Sequence, residues 1–140
     1  TLHDVQMSCG DTGTATLDEL IYAVAGNNAK GAMAAYNRLI GEGVAEIVIL
    51  RTLQNHFRRL HYTHALMGQG QSVDQAMKSL QPPIFFKFTA PFKGHVSKWR
   101  GKRLDMVMGK LADLEAQTKM TGAPVQTLCA QAILSLSMMR

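Results

Sequence analysis

The chain has 140 residues, of which 46% are hydrophobic and 18% are charged, and its formal net charge is +5 at pH 7. This length suits one domain with a single core, and the composition excludes a largely disordered chain. The positive balance favours acidic partners, nucleic acid among them, without identifying any. Thr1 is followed by neither a secretion leader nor a run of about 18 apolar residues, so we expect a cytoplasmic fragment of a longer protein with no membrane span.

The first two predicted helices are marked by their ends. Thr16-Leu17-Asp18-Glu19 is a capping box, in which the threonine hydroxyl accepts from the amide three residues on and the glutamate reaches back. The helix that follows ends at Gly26. Asn28 can cap the next helix, which Gly41 and Gly43 stop. The two helices are predicted to form a helical hairpin.

A long helix is predicted from about Val44 to Met67. Its apolar residues follow the spacing of one buried helix face, namely Leu50, Leu53, Phe57 and Leu60. The other side carries Arg51, Asn55, Arg58 and Tyr62. The β-branched run from Val44 to Ile49 is also compatible with a buried strand, but no other segment offers a strand partner, so we keep the helix.

The middle of the chain is predicted to contain two short helices. Ser72-Val73-Asp74-Gln75 is a second capping box, which opens a helix of about nine residues that closes before Pro82-Pro83. Pro91 then suits the first turn of a helix that runs to Trp99. The segment between them, Ile84 to Phe88, is so apolar that we expect the domain or a neighbouring molecule to cover it.

Two long helices are predicted to close the chain, from Lys102 to about Met120 and from Pro124 to about Met139. The buried stripe of the first is Leu104, Val107, Leu111, Leu114 and Thr118. That of the second is Val125, Leu128, Ala132 and Leu136. Gly122 supplies a left-handed stop and Pro124 a start at the first helical position, so the short link predicts an antiparallel pair. Residues 1–140 are thus predicted to form one all-α domain, a single bundle of about seven helices that ends in a long antiparallel helix pair.

Few residues suggest metal chemistry. His56, His61 and His64 lie in one predicted helix, and His61 and His64 share a face of it. No acidic residue follows Glu46 within that helix. We therefore expect solvated or packed histidines, with no metal and no cofactor.

Signatures of catalysis are also missing from the sequence. Cys9 and Cys129 lie near opposite ends of the chain without the Cys/His spacing of a zinc site, so we expect reduced structural thiols. A phosphate-binding glycine loop, a dinucleotide-binding glycine motif and a nucleophile elbow are all absent. We therefore expect no enzymatic activity in this chain.

Short motifs follow one another in a fixed order along nearly the whole chain. They are His3-Asp4-Val5, Gly10-Asp11, Leu17-Asp18-Glu19-Leu20, Arg38-Leu39, Glu42-Gly43-Val44, Leu50-Arg51-Thr52-Leu53, Phe57-Arg58-Arg59-Leu60, Leu80-Gln81-Pro82-Pro83, Phe85-Phe86-Lys87, Trp99, Leu104, Leu111, Glu115, Lys119 and Thr121-Gly122. In order and spacing they resemble the carboxyl-terminal domain of the delta subunit of the bacterial DNA polymerase III clamp loader. The single motifs are helix residues and caps, so their order carries the resemblance.

The resemblance implies a role in assembly. The delta subunit resembles an AAA+ subunit that does not hydrolyse ATP, and its amino-terminal AAA+-like region, absent from residues 1–140, contacts and opens the ring-shaped sliding clamp. The carboxyl-terminal helical domain of the family joins equivalent domains of the other loader subunits in a pentameric collar. The chain is thus expected to be an oligomerisation domain that helps to load the sliding clamp on DNA during replication and meets primer–template DNA weakly or indirectly.

Two sets of residues are candidates for contacts. One hypothesis is that the closing helices hold the collar contact and that the link from Lys119 to Gly122 points to the central passage, where the basic side chain of Lys119 meets DNA phosphate. The alternative for this link is a solvated turn, which we favour. Arg51, Arg58 and Arg59 face a partner subunit, DNA or merely water. The alternative function is a free-standing basic helical nucleic-acid-binding module, supported by the net charge alone.

Overall fold

A computed structural model of the chain describes residues 16–80, 84 and 86–139. Within these residues the chain is helical and contains no strand, which confirms the all-α prediction and the number of seven α-helices. Helix α1 covers residues 16–25. The other elements are α2 (Ala29–Gly41), α3 (Glu46–Gly68), α4 (Val73–Lys78), a 3-10 helix (Phe86–Phe88), α5 (Thr89–Lys98), α6 (Lys102–Thr118) and α7 (Val125–Ser137).

Helices α1 and α2 are separated by a tight turn. Asn27 adopts a left-handed φ of 61°, which asparagine tolerates better than most residues. The Oδ1 atom of Asn28 accepts a hydrogen bond of 3.0 Å from the amide of Gly31, so Asn28 is the N-cap predicted from the sequence. Residue 16 is already helical, so the start of α1, on which the capping box predicted at Thr16 depends, lies outside the described residues.

Helix α3 packs against α4, α5, α6 and α7 and forms the centre of the bundle. It runs unbroken from Glu46 to Gly68, which confirms the predicted helix and excludes the strand alternative. The predicted apolar stripe is buried, since Leu50, Leu53, Phe57 and Leu60 are each at most 1% exposed. His56 and Thr63 are buried as well, so the buried face is wider than its apolar residues indicate. None of the helices in the described part of the chain has the length and apolarity needed to cross a membrane.

Helix α4 begins at the predicted capping box but is shorter than expected. Ser72 Oγ accepts from the Gln75 amide at 3.2 Å, and Gln75 Oε1 accepts from the Ser72 amide at 3.1 Å. The helix ends at Lys78, after 6 residues rather than about nine, because the following amides turn to tighter 3-10-type hydrogen bonds such as Leu80 N to Met77 O. Gln81, Pro82 and Pro83 lie outside the described residues.

Helices α6 and α7 contact each other, and α7 also packs on α2. The predicted stripe of α6 is buried at Leu104, Val107, Leu111 and Leu114, while Thr118 is half-buried. The stripe predicted for α7 is displaced from the face of the helix that is actually buried. Its buried face is Cys129, Ile133, Leu136 and Ser137, whereas Val125, Leu128 and Ala132 are only half-buried. Helix α7 packs against both α2 and α6. Its buried face is therefore the one between these two helices, and it differs from the face that would be buried if α7 contacted α6 alone.

Side-chain hydrogen bonds hold the ends of α1, α5 and α7 together. The buried indole of Trp99, just after α5, donates from Nε1 to the Ala25 carbonyl at 2.7 Å. The Asn27 Nδ2 donates to the carbonyls of Ser137 at 3.0 Å and Met139 at 2.6 Å. The last carbonyls of a helix lack partners within that helix, so these bonds satisfy acceptors that burial would otherwise leave unpaired.

Candidate partner-binding surfaces

Helices α6 and α7 leave an open groove of about 320 Å³ between them. This α6–α7 groove is lined by Lys110, Asp113, Leu114 and Gln117 from α6 and by Leu128, Gln131, Ala132 and Ser135 from α7. Leu114, Leu128 and Ala132 supply its apolar area, and the other lining side chains are polar. An apolar centre with a polar rim is the usual anatomy of a protein–protein contact.

Large apolar side chains are exposed on the same two helices and on their link. Met106 on α6 is 54% exposed, Met120 in the link 67%, and Leu134 and Met138 at the end of α7 are 43% and 64% exposed. Methionine adapts its shape to irregular surfaces and is frequent where a protein meets a partner. The closing helices therefore carry apolar surface in addition to the groove.

The link between α6 and α7 is a compact turn. Gly122 has a φ of 77°, which confirms the left-handed stop predicted there. The Ala123 amide donates to the Met120 carbonyl at 3.1 Å, which closes the turn. Pro124 is the N-cap of α7 rather than its first residue, so the helix starts one position later than predicted.

Lys119 occupies the C-cap position of α6. Its Nζ atom lies 3.8 Å from Glu115 Oε2, one turn back along the helix, and its side chain is 66% exposed. A positive charge at a helix carboxyl end complements the helix dipole, and this i, i+4 pair adds a small stabilising term. The lysine thus already interacts with its own helix, while its ammonium group remains accessible to a ligand.

The outer face of α3 is a stripe of exposed side chains at helical spacing. This α3 outer face consists of Val48, Arg51, Asn55, Arg58 and Tyr62. The Arg58 guanidinium donates to Asn55 Oδ1 at 3.3 Å, which orients the arginine along the stripe. No carboxylate among the described residues forms an ion pair with Arg51 or Arg58. The face therefore carries two accessible positive charges.

Arg59 does not belong to the α3 outer face. Its side chain is half-buried, and its charge interacts with Tyr22 and Asp18 of α1. Burial lowers the pKa of the Arg59 guanidinium from its ordinary value, and burial raises the pKa of Asp18 against the opposing charges of Lys87 and Arg59. Of the three arginines singled out in the sequence, the structure brings Arg51 and Arg58 together and turns Arg59 towards α1.

A buried histidine pair joins α3 to α5. His56 Nε2 and His95 Nδ1 lie 3.0 Å apart, and the two residues are 4% and 5% exposed. Tyr22 packs against both rings, with 5.0 Å between ring centroids in each case. The pKa of His56 lies well below its ordinary value, mainly because the ring is buried and also because of His95 and the charge of Arg59. Burial, together with the charge of Lys98, lowers the pKa of His95 to about 4. Sequence reasoning missed this pair, because nothing in the sequence relates residues 39 positions apart.

The other histidines of α3 are separated from that pair. His64 Nε2 donates to the carbonyls of Val96 at 2.8 Å and Trp99 at 2.9 Å, so it caps the end of α5. His61 is exposed. Among the described residues there is no group of three or more His, Cys, Asp and Glu side chains that could hold a metal. Of the histidines of α3, His56 and His64 are packed against α5, and His61 is exposed.

The apolar segment before α5 is covered only in part. Phe88 stacks on Tyr22 with ring centroids 4.3 Å apart, and Ile84 is half-buried against the core. Phe86, by contrast, is 94% exposed. Phe85 lies outside the described residues. The domain therefore covers two of these side chains and leaves Phe86 in solvent.

Cys129 lies in the buried face of α7 and is 3% exposed. Burial raises the pKa of its thiol, and the negative charge of Glu46 raises it further. Such a thiol is protonated at neutral pH and behaves as a small apolar side chain. This agrees with the structural role predicted for it. Cys9 lies outside the described residues.

The fold defines the class of protein as an all-α helical-bundle domain. A family model described as DNA polymerase III delta subunit, C-terminal domain, matches residues 18–136, and the chain belongs to that family. This confirms the resemblance carried by the order of motifs, and membership implies a role as part of a clamp-loader subunit. No curated protein and no solved structure matches the chain.

Proposed function

We propose that the chain is the collar domain of a clamp-loader delta subunit, which assembles with the other loader subunits so that the sliding clamp is loaded on DNA in the cytoplasm during replication. The family match over residues 18–136 is the observation that carries this proposal. According to this proposal the domain catalyses no reaction, and contact with the sliding clamp is made by an AAA+-like region outside residues 1–140. The function of the domain is to bind other proteins.

The α6–α7 groove is the proposed collar contact. Its apolar floor consists of buried Leu114 and half-buried Leu128 and Ala132, and exposed methionines on the same helices and their link add further apolar surface. An antiparallel arrangement of the two helices is supported by the Arg103 guanidinium at the start of α6, which donates to the Met139 carbonyl just after α7. Two rigid helices side by side offer a partner helix a groove into which its side chains pack.

DNA contact through the α6–α7 link is a finer part of the proposal. Lys119 is exposed at the tip of the helix pair, and its pairing with Glu115 at 3.8 Å is loose enough for a phosphate to compete. A lysine so placed contributes a point charge without base specificity. This fits a subunit that meets primer–template DNA weakly, inside a larger assembly.

A free-standing nucleic-acid-binding module is the second candidate, favoured by the net charge of +5. Several of the cations behind this charge are engaged with carboxylates, as in the pairs of Arg38 with Glu19 at 3.5 Å and Lys93 with Asp74 at 2.5 Å. The exposed arginine pair on α3 lies in a stripe whose other residues are Val48, Asn55 and Tyr62, so the stripe itself contains no further basic side chain. Assembly is therefore the better supported function.

The experiment mixes the full-length protein with the purified other loader subunits and measures the mass of the complex by analytical ultracentrifugation. We expect one complex that resists high salt. Ser135→Arg places a long side chain into the groove from an exposed position and is expected to weaken assembly at least tenfold. Thr127→Arg, exposed on α7 outside the groove lining, is the matched control. Steeply salt-dependent DNA binding by a protein that joins no complex would favour the second candidate.

A further inference from the structure

The α3 outer face has the geometry of a binding stripe. Val48, Arg51, Asn55, Arg58 and Tyr62 follow one another at spacings of three and four residues, so they lie along one line of the helix. From Val48 to Tyr62 this line is about 20 Å long, at roughly 1.5 Å per residue. Val48 and Tyr62, at its ends, are 43% and 48% exposed. The stripe is therefore long enough to match three to four turns of a partner helix.

The charge of this stripe is not compensated within the described chain. No acidic residue occurs between Glu46 and Asp74, and Asp74 is paired with Lys93 at 2.5 Å. Arg38, on the neighbouring helix α2, has Glu19 at 3.5 Å, but no described carboxylate pairs with Arg51 or Arg58. A partner that covers these two positions is therefore favoured if it brings negative charge to them.

The composition of the stripe favours a protein over nucleic acid. Arginine and tyrosine are the residue types that contribute most to protein interfaces, and the stripe contains no lysine, aspartate or glutamate, which interfaces disfavour. Ile47, 37% exposed, lies beside Val48 and enlarges the apolar end. Phosphates gain nothing from aliphatic side chains, whereas a helix with apolar residues buries them.

We propose that the α3 outer face binds an amphipathic helix of a partner protein that presents carboxylates opposite Arg51 and Arg58 and apolar side chains opposite Val48 and Tyr62. Arg51 and Arg58 are seven residues apart, about 10 Å along the axis, so the partner's carboxylates lie two turns apart. The guanidinium groups then form bidentate bonds with them. Taking this partner to be a neighbouring clamp-loader subunit rests on the proposed function. The face shares no residue with the α6–α7 groove, so the domain carries two separate contact surfaces.

The test uses R51E/R58E in the full-length protein and measures its assembly with the purified other loader subunits by mass and by titration. The matched control is K30E/K78E, which makes the same change in net charge at exposed positions outside the stripe. We expect R51E/R58E to weaken assembly at least tenfold and K30E/K78E to leave it unchanged. If charge reversal unfolds the domain, R51Q/R58Q replaces R51E/R58E. Its assembly is then compared with that of the unsubstituted protein after thermal unfolding has shown that the two have the same melting temperature.

Other outcomes separate this inference from the proposed function. If the unchanged protein assembles and R51E/R58E assembles equally well, the inference is wrong and the proposed function stands. If R51E/R58E assembles normally but loses binding to a fluorescent 20-base-pair duplex that K30E/K78E retains, phosphate is the occupant and the inference is again overturned. If the unchanged protein joins no complex, both proposals are overturned.

Discussion

His56 Nε2 and His95 Nδ1 face each other across 3.0 Å in the interior, so one ring donates the hydrogen bond that the other accepts. This arrangement needs at least one neutral imidazole with a free lone pair. Tyr22, packed on both rings, excludes water from one side, and the cations Arg59 and Lys98 oppose a further positive charge. The hydrogen bond between α3 and α5 is therefore lost when both rings are protonated, and burial disfavours the first proton as well.

We predict that the free energy of unfolding falls as the pH falls from about 6.5 towards 4. The pKa of His95 is lowered to about 4 and that of His56 lies well below 6.5, whereas both take ordinary values in the unfolded chain. Below about pH 6.5 the unfolded state therefore binds protons that the folded state does not. From His95 alone the loss between pH 8 and pH 5 is about 2 kcal/mol. Urea unfolding at a series of pH values measures it.

Removal of the histidine pair provides the control for this prediction. His56→Leu with His95→Leu removes both titrating groups and is expected to flatten the profile between pH 5 and pH 7. An equally steep profile in that double variant would show that other groups cause the acid sensitivity.

Asn27 is predicted to stabilise the fold through two separable effects. Asn27→Gly keeps the left-handed φ but removes the hydrogen bonds to the Ser137 and Met139 carbonyls, so a loss of about 1–2 kcal/mol is expected. Asn27→Ala removes the same bonds and, unlike the glycine variant, keeps a Cβ at the positive φ, so it is expected to cost about 1 kcal/mol more than Asn27→Gly. Thermal and urea unfolding of both variants measures the two effects. If the alanine variant were as stable as the glycine variant, the predicted cost of a Cβ at this positive φ would be wrong.

Local patterns in the sequence were sufficient to predict most of the fold. The stripe of α3 and most of that of α6 depend on helical spacing, and the caps Asn28 and Ser72 depend on neighbours three residues away. Such features are encoded within one or two turns of chain. They form in nearly the same way whatever the helix packs against.

Features set by packing between distant segments could not be predicted. The buried face of α7 is centred on Cys129 and Ile133 rather than on Leu128 and Ala132, because α2 as well as α6 contacts it. The His56–His95 pair joins two helices that no periodicity relates. Helical spacing already placed Arg51, Asn55, Arg58 and Tyr62 on the outer side of α3. The α6–α7 groove and the half-buried position of Arg59 against α1, by contrast, became visible only in the structure.

Leu111→Asp is predicted to unfold the domain. Leu111 on α6 is 1% exposed within the core, so the substitution removes buried apolar area and leaves a carboxylate without a partner. A loss of more than about 4 kcal/mol is expected, which is a large part of the stability of a domain this size. Ala112→Asp, at the exposed neighbouring position, is the control and is expected to cost below about 1 kcal/mol. A folded, soluble Leu111→Asp protein, assessed by circular dichroism, would show that the register of α6 is wrong.

Lys119→Glu separates the proposed DNA contact from a solvated turn. If Lys119 meets phosphate in the assembled loader, the substitution weakens DNA-dependent clamp loading several-fold at low salt, and high salt reduces the difference because one fewer counterion is released. Its effect on stability is small, since a glutamate there only repels Glu115 on the surface. Lys102→Glu, exposed at the opposite end of α6, makes the same charge change and is expected to leave loading intact. Equal loading by both variants and the unchanged protein at low salt would mean that the link is a solvated turn and that DNA contact lies elsewhere in the loader.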